Sequence, residues 1–158
     1  KYKYTHLAKG LVFLPYGAAV DEFQHMVYQK PEMTPQERKA TWREIEKKYI
    51  PTKIYDNDPY LENGGFWHRQ AHIFQRPFYY IDYTLAQVCA FQYWLKMQDD
   101  YKAAWKDYLG LCKAGGSKSF LGLVKLANLQ SPFEENTFVN VVGKIESQIE
   151  ELYKEIKQ

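Results

Sequence analysis

GGFWHRQAHIFQRPFYYIDY, residues 64–83, holds two histidines four positions apart, His68 and His72, and then three tyrosines, Tyr79, Tyr80 and Tyr83. Four residues bring an α-helix back to the same face, so His68 and His72 are expected to point one way. Tyr79 and Tyr83 repeat the spacing. From Ile81, between them, an apolar series continues at helical period through Leu85, Val88, Cys89, Phe91 and Leu95. The pattern predicts a short helix over about 66–75 and a long one over about 78–98, with imidazoles and phenols aimed at a common cavity.

Outward from this block every periodic segment is helical. Towards the N-terminus, residues 1–13 carry no clear pattern. Tyr16, Ala19, Val20, Phe23, Met26 and Val27 predict a helix from Pro15 to Lys30, stopped by Pro31. Thr34-Pro35-Gln36-Glu37 reads as a capping box with proline in the first turn, opening a helix to about Tyr49. Its stripe is Trp42, Ile45 and Tyr49, and its charges, Arg43 and Glu46 among them, read as a solvated face. Residues 50–64 read as a loop rich in turn residues. Towards the C-terminus, helices are expected over about 100–113, from Ser117 or Ser119 to Leu129, and from about Glu134 onward. No alternation of strand type competes. The fold class is therefore all-α, and residues 1–158 are expected to form a single helical domain.

Composition narrows the function classes. The net charge is +2, and no Lys/Arg cluster builds the potential that a nucleic-acid partner requires. No run of about 18 apolar residues is present to span a membrane. Cys89 and Cys112 lie in apolar patterns and are expected as buried free thiols of a reducing, cytoplasmic compartment. Aromatic residues make up 17% of the chain, 14 of them tyrosine, which suits a core opening onto a wet groove.

The site chemistry has competing readings at this level. His68-Arg69-Gln70-Ala71-His72 has the spacing of a metalloprotease histidine pair, but Arg69 stands where the general-base glutamate belongs. A hydrogen-bonding role or packing at a helix edge fits the histidines better than a metal pair. Tyr79, Tyr80 and Tyr83 fit a core stripe or a polar pocket, since buried phenols require partners. Asp82 is a helix-start carboxylate. Gly64 and Gly65 can admit close backbone approach to a ligand. Glu62, Glu22 and Asp21 show no spacing that fixes a role, and His25 reads as structural.

Four stretches together resemble the C-terminal part of the oligoendopeptidase F family of thimet-oligopeptidase-like zinc peptidases. They are LPYGAAVDEFQHMVY (14–28), Asp58-Pro59-Tyr60-Leu61, GGFWHRQAHIFQRPFYYIDYTLAQ (64–87) and LCKAGGSKSF (111–120). The likeness runs from about residue 11 to about residue 142. It implies a helical cytoplasmic peptidase that cleaves short peptides in a channel. It implies zinc held by an HExxH helix and a downstream glutamate, with a histidine and tyrosines further along binding substrate and stabilising the tetrahedral intermediate. Carried onto this chain, it makes His72, Tyr79 and Tyr83 the catalytic candidates. His68, Gly64, Gly65 and Tyr80 become substrate-binding candidates.

No HExxH occurs in residues 1–158. The expectation is therefore a C-terminal piece of a larger peptidase, with the zinc-binding part upstream of Lys1. Such a piece binds no metal by itself, is inactive alone, and has the remainder of the enzyme as its partner. Apolar surface facing that remainder is expected to be exposed and to allow dimerisation. Two other readings stay open: a non-catalytic helical module binding a peptide or protein in an aromatic groove, and a self-contained metal site at His68 and His72.

Overall fold

A computed structural model describes residues 1–157. Those residues form α1 (Tyr2–Gln29), α2 (Pro35–Tyr49), α3 (Pro59–Glu62), a 3₁₀ turn (Gly65–Arg69), α4 (Ala71–Gln75), α5 (Ile81–Asp99), α6 (Tyr101–Ala114), α7 (Phe120–Leu126) and α8 (Glu135–Lys157). No strand occurs among them, so the class is all-α as the periodicity predicts. Two compact units are distinguishable, Val12–Thr84 and Lys1–Leu11 with the residues from Leu85 onward.

Several boundaries differ from the sequence reading. Helix α1 begins at Tyr2 and carries Pro15 in its interior instead of starting there. An interior proline costs about 3 kcal/mol and one backbone hydrogen bond. Burial of Leu14, Ala19, Val20 and Phe23 offsets that cost and holds the helix on course. Within the expected loop, Asp58 caps the single turn α3 by accepting from the N–H groups of Tyr60 and Leu61. Helix α5 starts at Ile81, not near 78. Phe78 has a left-handed φ of 61°, and its N–H donates to the Gln24 side chain at 2.9 Å, so this residue is held out of the helix. Helix α7 stops at Leu126, short of Leu129, where Asn128 turns left-handed.

The Val12–Thr84 unit is built on an aromatic core. Ala19, Val20, Phe23, Trp42, Ile45 and Trp67 are buried together. Phe23 meets Trp42 edge-on at 5.4 Å and Trp67 at 4.9 Å. The capping box at Thr34 and Glu37 forms as expected. The charged side of α2 is not wholly solvated, however. Glu46 is fully buried and accepts from Arg43 at 3.1 Å and from the Tyr55 hydroxyl, with Lys53 at 3.4 Å. Arg43 also donates to Glu62 at 2.7 Å, so α2 grips the 50–64 segment through ions. Gly17 makes room for Thr84, since a Cβ there would lie 1.9 Å from Thr84 Oγ1.

In the other unit, Val88, Phe91, Ala104, Val124, Ala127, Val141 and Ile145 are buried. Gln92 donates to the Gln130 carbonyl and accepts from the Gln130 N–H, which fastens the chain after α7 to α5. Lys96 ties α5 to α6 through Asp107 at 2.7 Å and to the chain after α7 through the carbonyls of Ala127 and Asn128. Asp100 and Ser119 cap α6 and α7. Both cysteines are free thiols, but neither is fully buried as expected: Cys89 is half-buried and Cys112 is exposed.

Candidate functional site

The histidine pair does not share a helix. The 3₁₀ turn ends at Arg69, Gln70 leaves helical geometry at φ −86° and ψ 89°, and α4 begins at Ala71. This break divides the two imidazoles between separate surroundings, which overturns the expectation of a common face. A 3₁₀ turn advances differently from an α-helix, so i and i+4 no longer align across it. His68 Nδ1 lies 3.0 Å from the Gly65 carbonyl and 2.7 Å from the Tyr60 hydroxyl. A carbonyl only accepts, so His68 donates from Nδ1. Its ring stands 4.1 Å from that of Trp67.

The two glycines explain why His68 sits there. Gly64 is left-handed at φ 85°, and a Cβ would lie 1.9 Å from the Lys39 carbonyl oxygen of α2. A Cβ on Gly65 would lie 2.5 Å from the Tyr60 ring. The close approach that these glycines permit is therefore made by the protein's own backbone and ring, not by open space for a ligand.

His72 does meet the tyrosines. Its ring centroid lies 5.1 Å from Tyr80, 5.6 Å from Tyr83 and 6.3 Å from Tyr79. Tyr83 in turn packs edge-on against Tyr79 at 5.3 Å and Tyr80 at 5.4 Å. Helix α5 supplies Tyr83. Tyr79 and Tyr80 come from the turn before it, which closes by N–H donation from Asp82 to Tyr79 O and from Tyr83 to Tyr80 O. Tyr79 and Tyr83 are 45% and 40% exposed, so their phenols stand on an accessible face. Tyr80 is half-buried and reaches the core through Tyr16, edge-on at 5.9 Å.

Phenols are protonated at neutral pH, and the surroundings of Tyr80 and Tyr83 favour that form further. Hydrogen bonding to Tyr79 raises the Tyr83 phenol above its ordinary value. Burial raises Tyr80, and Arg69 pulls it partly back. Both hydroxyls are thus available as donors. On the other side of His72, Gln70 Nε2 lies 2.6 Å from Nδ1, and the Tyr16 hydroxyl donates to Gln70 Oε1 at 2.9 Å. Sequence reading placed Tyr16 on an apolar helix stripe and gave neither it nor Gln70 a role at the site. Gln70 lies two residues from His72, but its partner is 54 positions away in α1, and no local spacing reports that pairing.

A Peptidase family M3 model matches residues 3–140. The chain belongs to peptidase family M3. Among solved structures, it is similar to an oligoendopeptidase F at 60% identity and a TM-score of 0.92, over 95% of this chain and 26% of that one. It is similar to PZ peptidase A with an inhibitor at 59% identity and a TM-score of 0.92, over 95% and 27%. An oligoendopeptidase F from Bacillus anthracis str. Ames matches at 48% identity and a TM-score of 0.76, over 94% and 23%. No curated protein sequence matches. This M3 chain thus spans about a quarter of the length of these neighbours. Its His72–tyrosine cluster falls within the residues that match the M3 model.

Proposed function

We propose that this chain forms the substrate-binding wall of an M3 oligopeptidase that hydrolyses short peptides. The carrying observation is the packing of His72 against Tyr79, Tyr80 and Tyr83, with the Tyr79 and Tyr83 phenols exposed. Hydrolysis of a peptide bond places negative charge on the carbonyl oxygen as the tetrahedral intermediate forms. Fixed O–H and N–H donors aimed at that oxygen stabilise the transition state more than the ground state. Tyr83, Tyr79 and His72 Nε2 take that role in this reading, while Tyr80 and His68 contact the rest of the substrate. Gly64 and Gly65 contribute by placing His68.

The family likeness implies zinc, and the residues described here do not fit as its cage. No group of three or more His, Cys, Asp or Glu side chains comes together among them. His68 and His72 lie on opposite sides of the break at Gln70, in separate surroundings, so they do not form a ligand pair. Zinc and the water-activating groups are therefore assigned to residues outside this chain, in the longer cytoplasmic enzyme of which it is a part. No helix among the described residues is long and apolar enough to cross a membrane.

The test is Tyr83→Phe in a full-length M3 oligopeptidase carrying this sequence. Losing one oxyanion donor costs about 10²–10³ in turnover. A fall of that size with an unchanged melting temperature supports the assignment. Unchanged turnover removes Tyr83 from the reacting centre.

A further inference from the structure

We infer that Tyr16 and Gln70 are positioning residues that fix the tautomer of His72, leaving its proton on Nε2 where it faces Tyr83. The inference rests on the reading of His72 as a substrate-facing donor, and deepens it. The Tyr16 hydroxyl lies 2.9 Å from Gln70 Oε1, and an oxygen of an amide only accepts. Tyr16 must therefore donate, and its burial keeps the phenol protonated far beyond neutral pH.

With Oε1 engaged, the amide turns its nitrogen to His72, 2.6 Å from Nδ1. An amide nitrogen only donates, so Nδ1 must be the acceptor and the neutral ring carries its hydrogen on Nε2. In the opposite orientation the NH₂ would donate to the Tyr16 oxygen and Oε1 would accept from Nδ1–H. The Gln70 orientation and the His72 tautomer are therefore one coupled choice, and the structure has the orientation in which Tyr16 donates to Oε1. The proton that results sits on the side of Tyr83, whose hydroxyl lies 3.4 Å from Nε2. His68 provides the internal contrast, because the Gly65 carbonyl gives it the opposite tautomer. One short segment thus holds two imidazoles with protons on different nitrogens, each set by what faces Nδ1. A hydrogen bond that only one tautomer can make biases the pair by roughly 3–10-fold.

The test is nitrogen-15 NMR of histidine-labelled protein, the full chain, well above the imidazole titration range. His72 is expected almost wholly in the Nε2–H form. Gln70→Glu places an acceptor at Nδ1 and should reverse the preference, and Tyr16→Phe, a milder change, should weaken it by roughly 3–10-fold. An unperturbed His68 signal shows that each variant keeps its fold. A wild-type His72 with hydrogen on Nδ1, or a preference unmoved by both variants, overturns the inference. The same substitutions in a full-length enzyme should lower kcat with little change in KM. If instead His72→Ala leaves turnover intact while the tautomer still responds to Gln70, the site reading fails and the positioning stands.

Discussion

Tyr93 is 7% exposed, and its hydroxyl has no hydrogen-bond partner among the described residues. Burial first, and the nearby Asp107 second, push its phenol up to about 12 from an ordinary value of 10.0. A raised phenol favours the neutral form in the folded state. Its contribution to stability is therefore complete below pH about 10 and lost as the pH climbs towards about 12, because only the unfolded chain ionises readily in that window. Across that window each step of one in pH corresponds to about 1.4 kcal/mol, so the loss approaches about 2–3 kcal/mol at the upper end. Tyr93→Phe should remove that part of the alkaline destabilisation. At pH 7 it should change stability by less than about 1 kcal/mol, since no hydrogen bond is lost. Urea unfolding of both proteins at neutral and alkaline pH checks this; parallel pH curves would sink it. At this same scale the sequence named His72, Tyr79, Tyr80 and Tyr83 correctly as neighbours. Three aromatic residues within five positions can hardly avoid a histidine placed just before the turn.

Between elements, the decisive interaction is the ionic grip of α2 on the segment leading to the site. Glu46 is fully buried beneath Arg43, Lys53 and Tyr55, and Arg43 passes the contact on to Glu62 in α3. Removing one partner of a buried ion pair leaves the others uncompensated and costs about 3–5 kcal/mol. Glu46→Leu should lose that much in urea unfolding. Lys48→Ala breaks the exposed pair with Glu22, 2.7 Å apart, and should lose less than about 1 kcal/mol. Equal losses would show that the buried network contributes no more than a surface pair. None of this distinction is legible in the sequence, where Arg43, Glu46 and Lys48 look alike on a charged helix. What is legible is local: the Thr34–Glu37 capping box, a serine cap at 117 or 119 that the structure gives to Ser119, and the period of α5. The break at Gln70 is not, because an unbroken helix and a 3₁₀ turn followed by α4 have the same residues four apart. The break is set by tertiary contacts, Gly64 under the Lys39 carbonyl and Gln70 under the Tyr16 hydroxyl.

For the molecule as a whole, the question is whether these 158 residues can bind metal without help. A zinc site needs three or four ligands converging within about 2.0–2.3 Å of one point, with deprotonated donor atoms facing it. Here His68 and His72 belong to separate clusters, His25 pairs with Asp21 at 3.4 Å, and Cys89 has a thiol that burial raises above its ordinary value. A raised thiol pKa opposes the thiolate form that zinc requires. The exposed Cys112 gains no further His, Cys, Asp or Glu ligands to complete a group among the described residues. Calorimetric titration of the chain with zinc at neutral pH should therefore show no tight one-to-one binding, and thermal stability should not rise with added metal. The same titration on a full-length M3 oligopeptidase should show it. Tight binding to the chain alone, abolished together by His68→Ala and His72→Ala, would mean that the two imidazoles converge in solution. That outcome would replace the donor role argued for His72 with a ligand role, because an imidazole whose Nε2 lone pair binds metal has no Nε2 hydrogen to offer a substrate.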